Sequence, residues 1–301
     1  MAVPKFLTSG LELEMVRTKT SAFDLIDTNT FGSRTDSSIR GKRAEPTNGI
    51  ELVTPIIEVA VDAAGNDVRL DTSALRKAIH ALSDCAAAVN SSCGVHVHAG
   101  LPNGESTLWN PQRLPNTPGG PASEWKPQQV RTMLAIGLGL EHKLFSVVPK
   151  SRHGNKQCRR ISELYPDDAA AAYYPVNGLV PKKYDNPQRY CWLNLIETRR
   201  PSDPAEKRVG YARSTALGTI ENRMLGETSR ADYILAWSEL WLTIAAAVAS
   251  FTPEVAIIKC CHTRWLDSHF LQLAAFRARH DVEDLPTNQS ALPADQHSSE
   301  T

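Results

Sequence analysis

The alternation of apolar and polar positions opens with short strand-like runs. Residues 10–16, 50–61 and 94–100 each alternate or concentrate Val and Ile, and each is bounded by Gly, Pro, Asn or Asp. Between the second and third runs, residues 72–90 place Leu75, Ile79, Leu82 and Ala86 at helical spacing, with Asp71, Thr72 and Ser73 supplying oxygens for an N-cap. Residues 127–145 predict a second helix, with Pro near its start and Leu134, Leu138, Glu141 and Phe145 along one side. Further strands are expected at 190–196 and 219–225, followed by a long helix from Ala231. This order predicts an α+β fold, mainly antiparallel strands with helices on one side. Residues 101–126 and 152–188 are punctuated by Pro, Gly and Asn and read as long surface or active-site loops. One domain is expected over residues 1–275, with a polar, disordered tail over 276–301.

Composition narrows the function classes. The 301 residues carry 33 basic and 33 acidic side chains with no long block of one sign, which argues against nucleic acid or a membrane surface as partner, because both demand a cationic excess. The most apolar stretch, 233–251, contains Ser238 and Glu239. A carboxylate there would be costly in lipid, so the stretch reads as a buried helix. The first fifteen residues hold one lysine and no apolar run, so no signal peptide or anchor is expected. Six cysteines without a CxxC pair read as reduced thiols of a cytoplasmic protein.

Three short patterns carry candidate chemistry. Glu12 and Glu14 stand two apart on the first strand and share a face. Alone, such a pair is most often a solvated strand face, but two adjacent carboxylates also invite a cation between them. His96 and His98 share one face of a valine strand bounded by Gly94 and Gly100, an arrangement that suits a metal or phosphate site. Glu221 and Arg223 share a face on the late strand, one able to hold a cation and the other a phosphoryl oxygen; alone they would read as a surface ion pair. Glu51 adds a further inward carboxylate, whereas Glu58 is expected on the opposite face. Neither a GxxxxGK loop nor a GxGxxG turn is present, so a nucleotide would need another device.

In this order, Glu-x-Glu, Gly-x-His-x-His and Glu-x-Arg resemble the active-site strands of the glutamine synthetase superfamily. The chain is most similar to its amidoligase branch and the gamma-glutamylcysteine-ligase-like carboxylate–amine ligases. Supporting segments are Asp36-Ser37-Ser38, Glu51 to Pro55, Leu140-Glu141 leading to Ser151-Arg152, Asn155 to Cys158, Arg189-Tyr190 and Leu193-Asn194-Leu195. The resemblance implies a glutamine synthetase-like catalytic domain with a curved sheet. It implies ATP and Mg2+ (or Mn2+) as cofactors, with Glu12, Glu14, Glu51, His96 and Glu221 at two metals and His98 near the nucleotide phosphates. Arg223 would hold phosphoryl oxygens, and Arg152, Arg189 and Asn194 would meet phosphate or a substrate carboxylate. Asn222 stands where the family often has an aromatic residue.

The reaction so implied joins a small-molecule or peptide carboxylate to an amine through an acyl phosphate. Two alternatives remain from the residues themselves: a metal-dependent hydrolase using the His-x-His and carboxylates, and a nucleotide-binding relative without turnover.

Overall fold

A computed structural model describes residues 6–16, 32–35, 49–64, 67–85, 89–90, 92–101, 125–164, 191–194, 219–226 and 228–283. Its first strand, β1 (Phe6–Val16), shows the alternation the sequence predicts and begins earlier than expected. Leu7, Ser9, Leu11, Leu13 and Met15 are buried on one face, leaving Thr8, Gly10, Glu12 and Glu14 on the other. Beyond Glu12 the burial pattern becomes continuous, because Glu14 is covered as well.

The apolar run at 50–61 is two strands rather than one: β3 (Gly49–Val53) and β4 (Ile57–Ala64). Both pair antiparallel with β1, β3 along Glu12–Val16 and β4 along Phe6–Ser9. Pro55 has no N–H to give a ladder. Thr54 bridges the gap by donating its N–H to the Leu11 carbonyl at 2.9 Å and accepting the Leu11 N–H at its Oγ1, also at 2.9 Å. Two strands were not anticipated, β2 (Gly32–Thr35) against β3 and β5 (Asp67–Asp71) against β4. The latter buries only Val68 fully and is flanked by aspartates, so its hydrophobic signal is slight.

The helix α1 (Ser73–Cys85) buries Leu75, Ile79 and Leu82 as expected, and Ala86 lies outside the described residues. The next strand, β6 (Gly94–Gly100), pairs with β1 and is buried on both faces. The helix α2 (Pro127–Phe145) matches its prediction, and a 3-10 turn over Lys150–Arg152 leads to the short α3 (Ile161–Leu164). Of the strand expected at 190–196, the described part is β7 (Leu193–Asn194), and β8 (Thr219–Gly226) lies between it and β6.

The result is a mixed structure of helices and a curled antiparallel half-barrel sheet, ordered β2-β3-β1-β6-β8-β7 with β4 and β5 attached to β1. Its apolar face takes Leu11 and Leu13, Val95 and Val97, Ile220 and Leu225, and packs on α4 (Ala231–Ser250). That helix is long and apolar enough to cross a membrane, yet 89% of its most apolar stretch is buried within the protein. Its one carboxylate off the first turn, Glu239, accepts a 2.7 Å hydrogen bond from Thr72 Oγ1 and lies 4.0 Å from Arg76. Thr72 thus spends its hydroxyl on α4 rather than on capping α1, where Asp71 Oδ1 takes the Ser73 N–H at 3.0 Å. Two further helices, α5 (Pro253–His262) and α6 (Asp267–Glu283), complete the layer. The last of these continues past residue 275, where the polar tail was expected to begin; residues 284–301 lie outside the described set.

Candidate functional site

The polar face of the sheet gathers the three sequence patterns. Strand pairing sets Glu12 beside His96 and Gly10 beside His98 across β1 and β6, and His98 beside Glu221 across β6 and β8. Glu14 stands opposite Glu51 across β1 and β3. Period two on each strand does the rest, so that residues from 12 to 221 meet on one surface. Glu58 is exposed, but it pairs with Thr8 and so lies on the polar side of the sheet rather than the opposite one expected from its odd spacing to Glu51, because the break at Pro55 shifts the parity by one residue.

His96 is 3% exposed and lies among three carboxylates. Its Nδ1 is 3.0 Å from Glu12 Oε2 and 3.3 Å from Glu221 Oε1, and its Nε2 is 3.7 Å from Glu14 Oε1. His98 Nε2 is 3.5 Å from Glu12 Oε1, and its Nδ1 is 2.9 Å from Thr219 Oγ1. When the threonine oxygen accepts the Nδ1 proton, the Nε2 lone pair faces the carboxylates, the tautomer a metal ligand needs. Thr219 was not singled out in the sequence. Its position two residues before Glu221 on the same strand was the available signal.

Glu221 is fixed from two further sides. Asn194 Nδ2 donates to its Oε2 at 2.7 Å, and Arg223 Nε lies 3.2 Å from its Oε1. Burial alone would raise the Glu221 carboxyl; the Arg223 guanidinium, then His98 and His96, outweigh it and hold the group below its ordinary value. Burial would likewise raise Glu12, yet His98 and His96 keep it well below the usual carboxylate range. Burial would lower Arg223, but Glu221, Glu14 and Glu12 raise it. Glu12, Glu221 and Arg223 thus favour their charged forms, with mutual compensation rather than exposure as the cause.

The ligand atoms of Glu12, His98 and Glu221 lie within 4.8 Å of one another, close enough to share one ion. Two carboxylates and an imidazole suit a divalent cation of hard or borderline character, manganese as well as magnesium. This grouping differs from the division implied by the resemblance, which set His96 on a metal and His98 on phosphate. Among the described residues it is His98 that completes the triad, while the His96 ring is wedged between the carboxylates.

Of the remaining candidates, Arg152 and Glu51 are among the described residues. Arg152 is buried and donates to the main-chain carbonyls of Cys93 (3.4 Å) and Arg223 (2.7 Å). Glu51 is buried beside Glu14. Arg189 and Asp36-Ser37-Ser38 lie outside the described residues, as do Tyr190, Leu195 and most of the two long loops. Glu141 is a strut: it accepts from Trp192 Nε1 at 2.8 Å, from the Ile161 N–H at 2.6 Å and from the Ser162 hydroxyl, tying α2 to the segment that leads into β7.

Residues 9–110 match the model of a family described as "putative amidoligase enzyme", a span that holds Glu12, Glu14, Glu51, His96 and His98. No curated protein matches the chain. The family match points to an amide-bond ligase.

Proposed function

We propose that the protein is a glutamine synthetase-like, ATP-dependent carboxylate–amine ligase that activates a carboxylate as its acyl phosphate and then transfers it to an amine. The observation that carries this reading is the convergence of Glu12, His98 and Glu221 within one ion's reach, with Arg223 Nε 3.2 Å from Glu221. A carboxylate oxygen is a poor leaving group, so ATP would convert it to the mixed anhydride with phosphate, releasing ADP, and the amine would then displace phosphate. What the site must then provide is charge compensation for a phosphoryl group and a place from which water is excluded.

In this reading Glu12, His98 and Glu221 would hold a Mg2+ or Mn2+ ion, and Glu14 with Glu51 would serve a second. Such ions neutralise charge on nucleotide phosphates. Arg223, held in its charged form by the surrounding carboxylates, faces the equatorial oxygens of the transferring group. Asn194 and Thr219 keep Glu221 and His98 in place. The partners are small-molecule or peptide carboxylates and amines, chosen by the loops over 101–126 and 152–188. A cytoplasmic setting accords with Cys93, Cys158, Cys191, Cys260 and Cys261, all free thiols.

The test is metal-dependent ADP release from ATP, screened against pooled carboxylates and amines. Arg223→Ala should lower kcat by about a thousandfold, as for loss of an arginine on a transferring phosphoryl group, and Glu221→Gln should abolish the metal-dependent ADP release. A protein that neither binds nor consumes ATP with either metal, and hydrolyses pooled amides or esters instead, would establish the hydrolase reading in its place.

A further inference from the structure

The β6–β8 ladder is interrupted at the site. Val95 pairs with Leu225 and Val97 with Asn222, so His96 on one strand is opposed by both Arg223 and Met224 on the other. This is a β-bulge, which throws backbone groups out of the ladder and re-aims a side chain. The backbone groups of β8 at the bulge have partners on other segments or side chains. The Arg223 N–H donates to the Trp192 carbonyl at 2.8 Å, and the Met224 N–H to Asn222 Oδ1 at 2.9 Å. The Arg223 carbonyl accepts from Arg152 Nη2 at 2.7 Å.

Arg152 reaches that carbonyl through a trough cut for it. Gly94 and Gly226 pair across the two strands next to the bulge. A Cβ on Gly226 would fall inside contact distance of Arg152 Cδ and 2.8 Å from its Cγ. A Cβ on Gly94 would lie 3.3 Å from Arg152 Nη2, and 3.1 Å from both Glu14 Oε2 and His96 Nε2. The arginine stem thus occupies the volume a side chain at 226 would have filled, and its fork lies over Gly94 beside Glu14 and His96. The second arm of the fork reaches the Cys93 carbonyl at the start of β6.

We infer that Arg152 is a positioning residue: seated over Gly94 and Gly226, it holds the β8 bulge and through it aims Arg223 at Glu221. Lysine would keep the charge but lacks the planar fork that reaches two carbonyls at once. The link from Arg223 to phosphoryl transfer rests on the function proposed above, whereas the link from Arg152 to Arg223 does not.

The experiment uses the full chain labelled with 15N-arginine. The Arg223 Nε–H signal, identified by its loss in Arg223→Lys, should shift or broaden in Arg152→Lys. It should stay in place in Leu75→Ala, a core change in α1 that lowers stability without touching the trough. In urea unfolding, Gly226→Ala should lower the midpoint in the natural background and lower it much less in Arg152→Ala, where no stem remains to clash. Should Arg152→Lys fail to fold, Gly226→Ala carries the spectral test, since displacing the stem must move the Arg223 signal. An unmoved Arg223 signal, or equal midpoint shifts in both backgrounds, overturns the inference. Neither readout needs ATP: coupling without ADP release would sink the ligase function and leave Arg152's role standing.

Discussion

Glu221 shows how little of this site is a matter of single residues. It is 4% exposed, and burial alone would raise its carboxyl, yet Arg223 and the two imidazoles hold it below its ordinary value while Asn194 donates to its Oε2. Thr219 acts more quietly: where its hydroxyl accepts the Nδ1 proton of His98, Nε2 is left to face the carboxylates. Thr219→Val is isosteric and leaves the strand unchanged, but removes that partner. It should weaken Mn2+ binding by about 10–100-fold, the usual effect of losing a group that orients a metal-ligating histidine. Isothermal titration calorimetry would check it, and an unchanged affinity would remove Thr219 from the site. Asn222 needs its own explanation. Its side chain is buried away from the carboxylates, where its Oδ1 takes the Met224 N–H freed by the bulge. An aromatic residue could not do this.

At the scale of elements, most of what is legible in the sequence follows from periodicity strong enough to survive without context. β6 and α2 match their expected limits because valine alternation and a Pro-initiated apolar stripe each admit one reading. The run at 50–61 failed for the converse reason: strand-forming residues lie on both sides of the break, and only Pro55 marks the place where one strand becomes two. β2 and β5 lie at the sheet's margins, and β5 buries only Val68, so its sequence carries little signal. The site residues on β1, β6 and β8 were legible from period two, but the bulge that breaks this period opposite His96 was not. The vicinal Cys260–Cys261 pair finds a packing explanation. Burial pushes the Cys260 thiol up to about 12 and also raises Cys261, while Cys261 Sγ rests 3.8 Å from the Ile136 carbonyl of α2. Among helices, α4 matters most, with Tyr233, Trp237 and Trp241 fully covered. Trp241 meets Trp192 edge to face at 6.3 Å. Trp241→Ala should cost about 3–5 kcal/mol of stability, measured as a urea midpoint shift at unchanged slope.

For the whole molecule, the buried charges make stability depend on acidity. Glu12 and Glu221 sit below their ordinary value of 4.5 in the folded protein. Between the folded and unfolded values the unfolded chain binds more protons, so stability rises with pH through that window. Their contribution is fully present above about pH 4.5 and is lost as the pH falls through the lower, folded values. Urea midpoints taken from pH 7 down to pH 3 should therefore hold level and then decline, and Glu221→Gln should flatten the decline. A midpoint that rises on acidification would mean that repulsion among the carboxylates, rather than their pairing, dominates the cluster.

The order of strands has a kinetic consequence. Glu12, His98 and Glu221 become neighbours only when β8 lies against β6, and Gly100 must find Thr219 across the whole middle of the chain. Closing so long a loop costs configurational entropy before any contact repays it, and such non-local pairing slows folding. The segment up to residue 110 holds four of the five acidic and imidazole donors implied at the metals, but the triad's third member arrives with the last strand. A nascent chain therefore cannot assemble the triad until β8 has been made, and an ion that binds only the finished triad rewards the slowest step of folding.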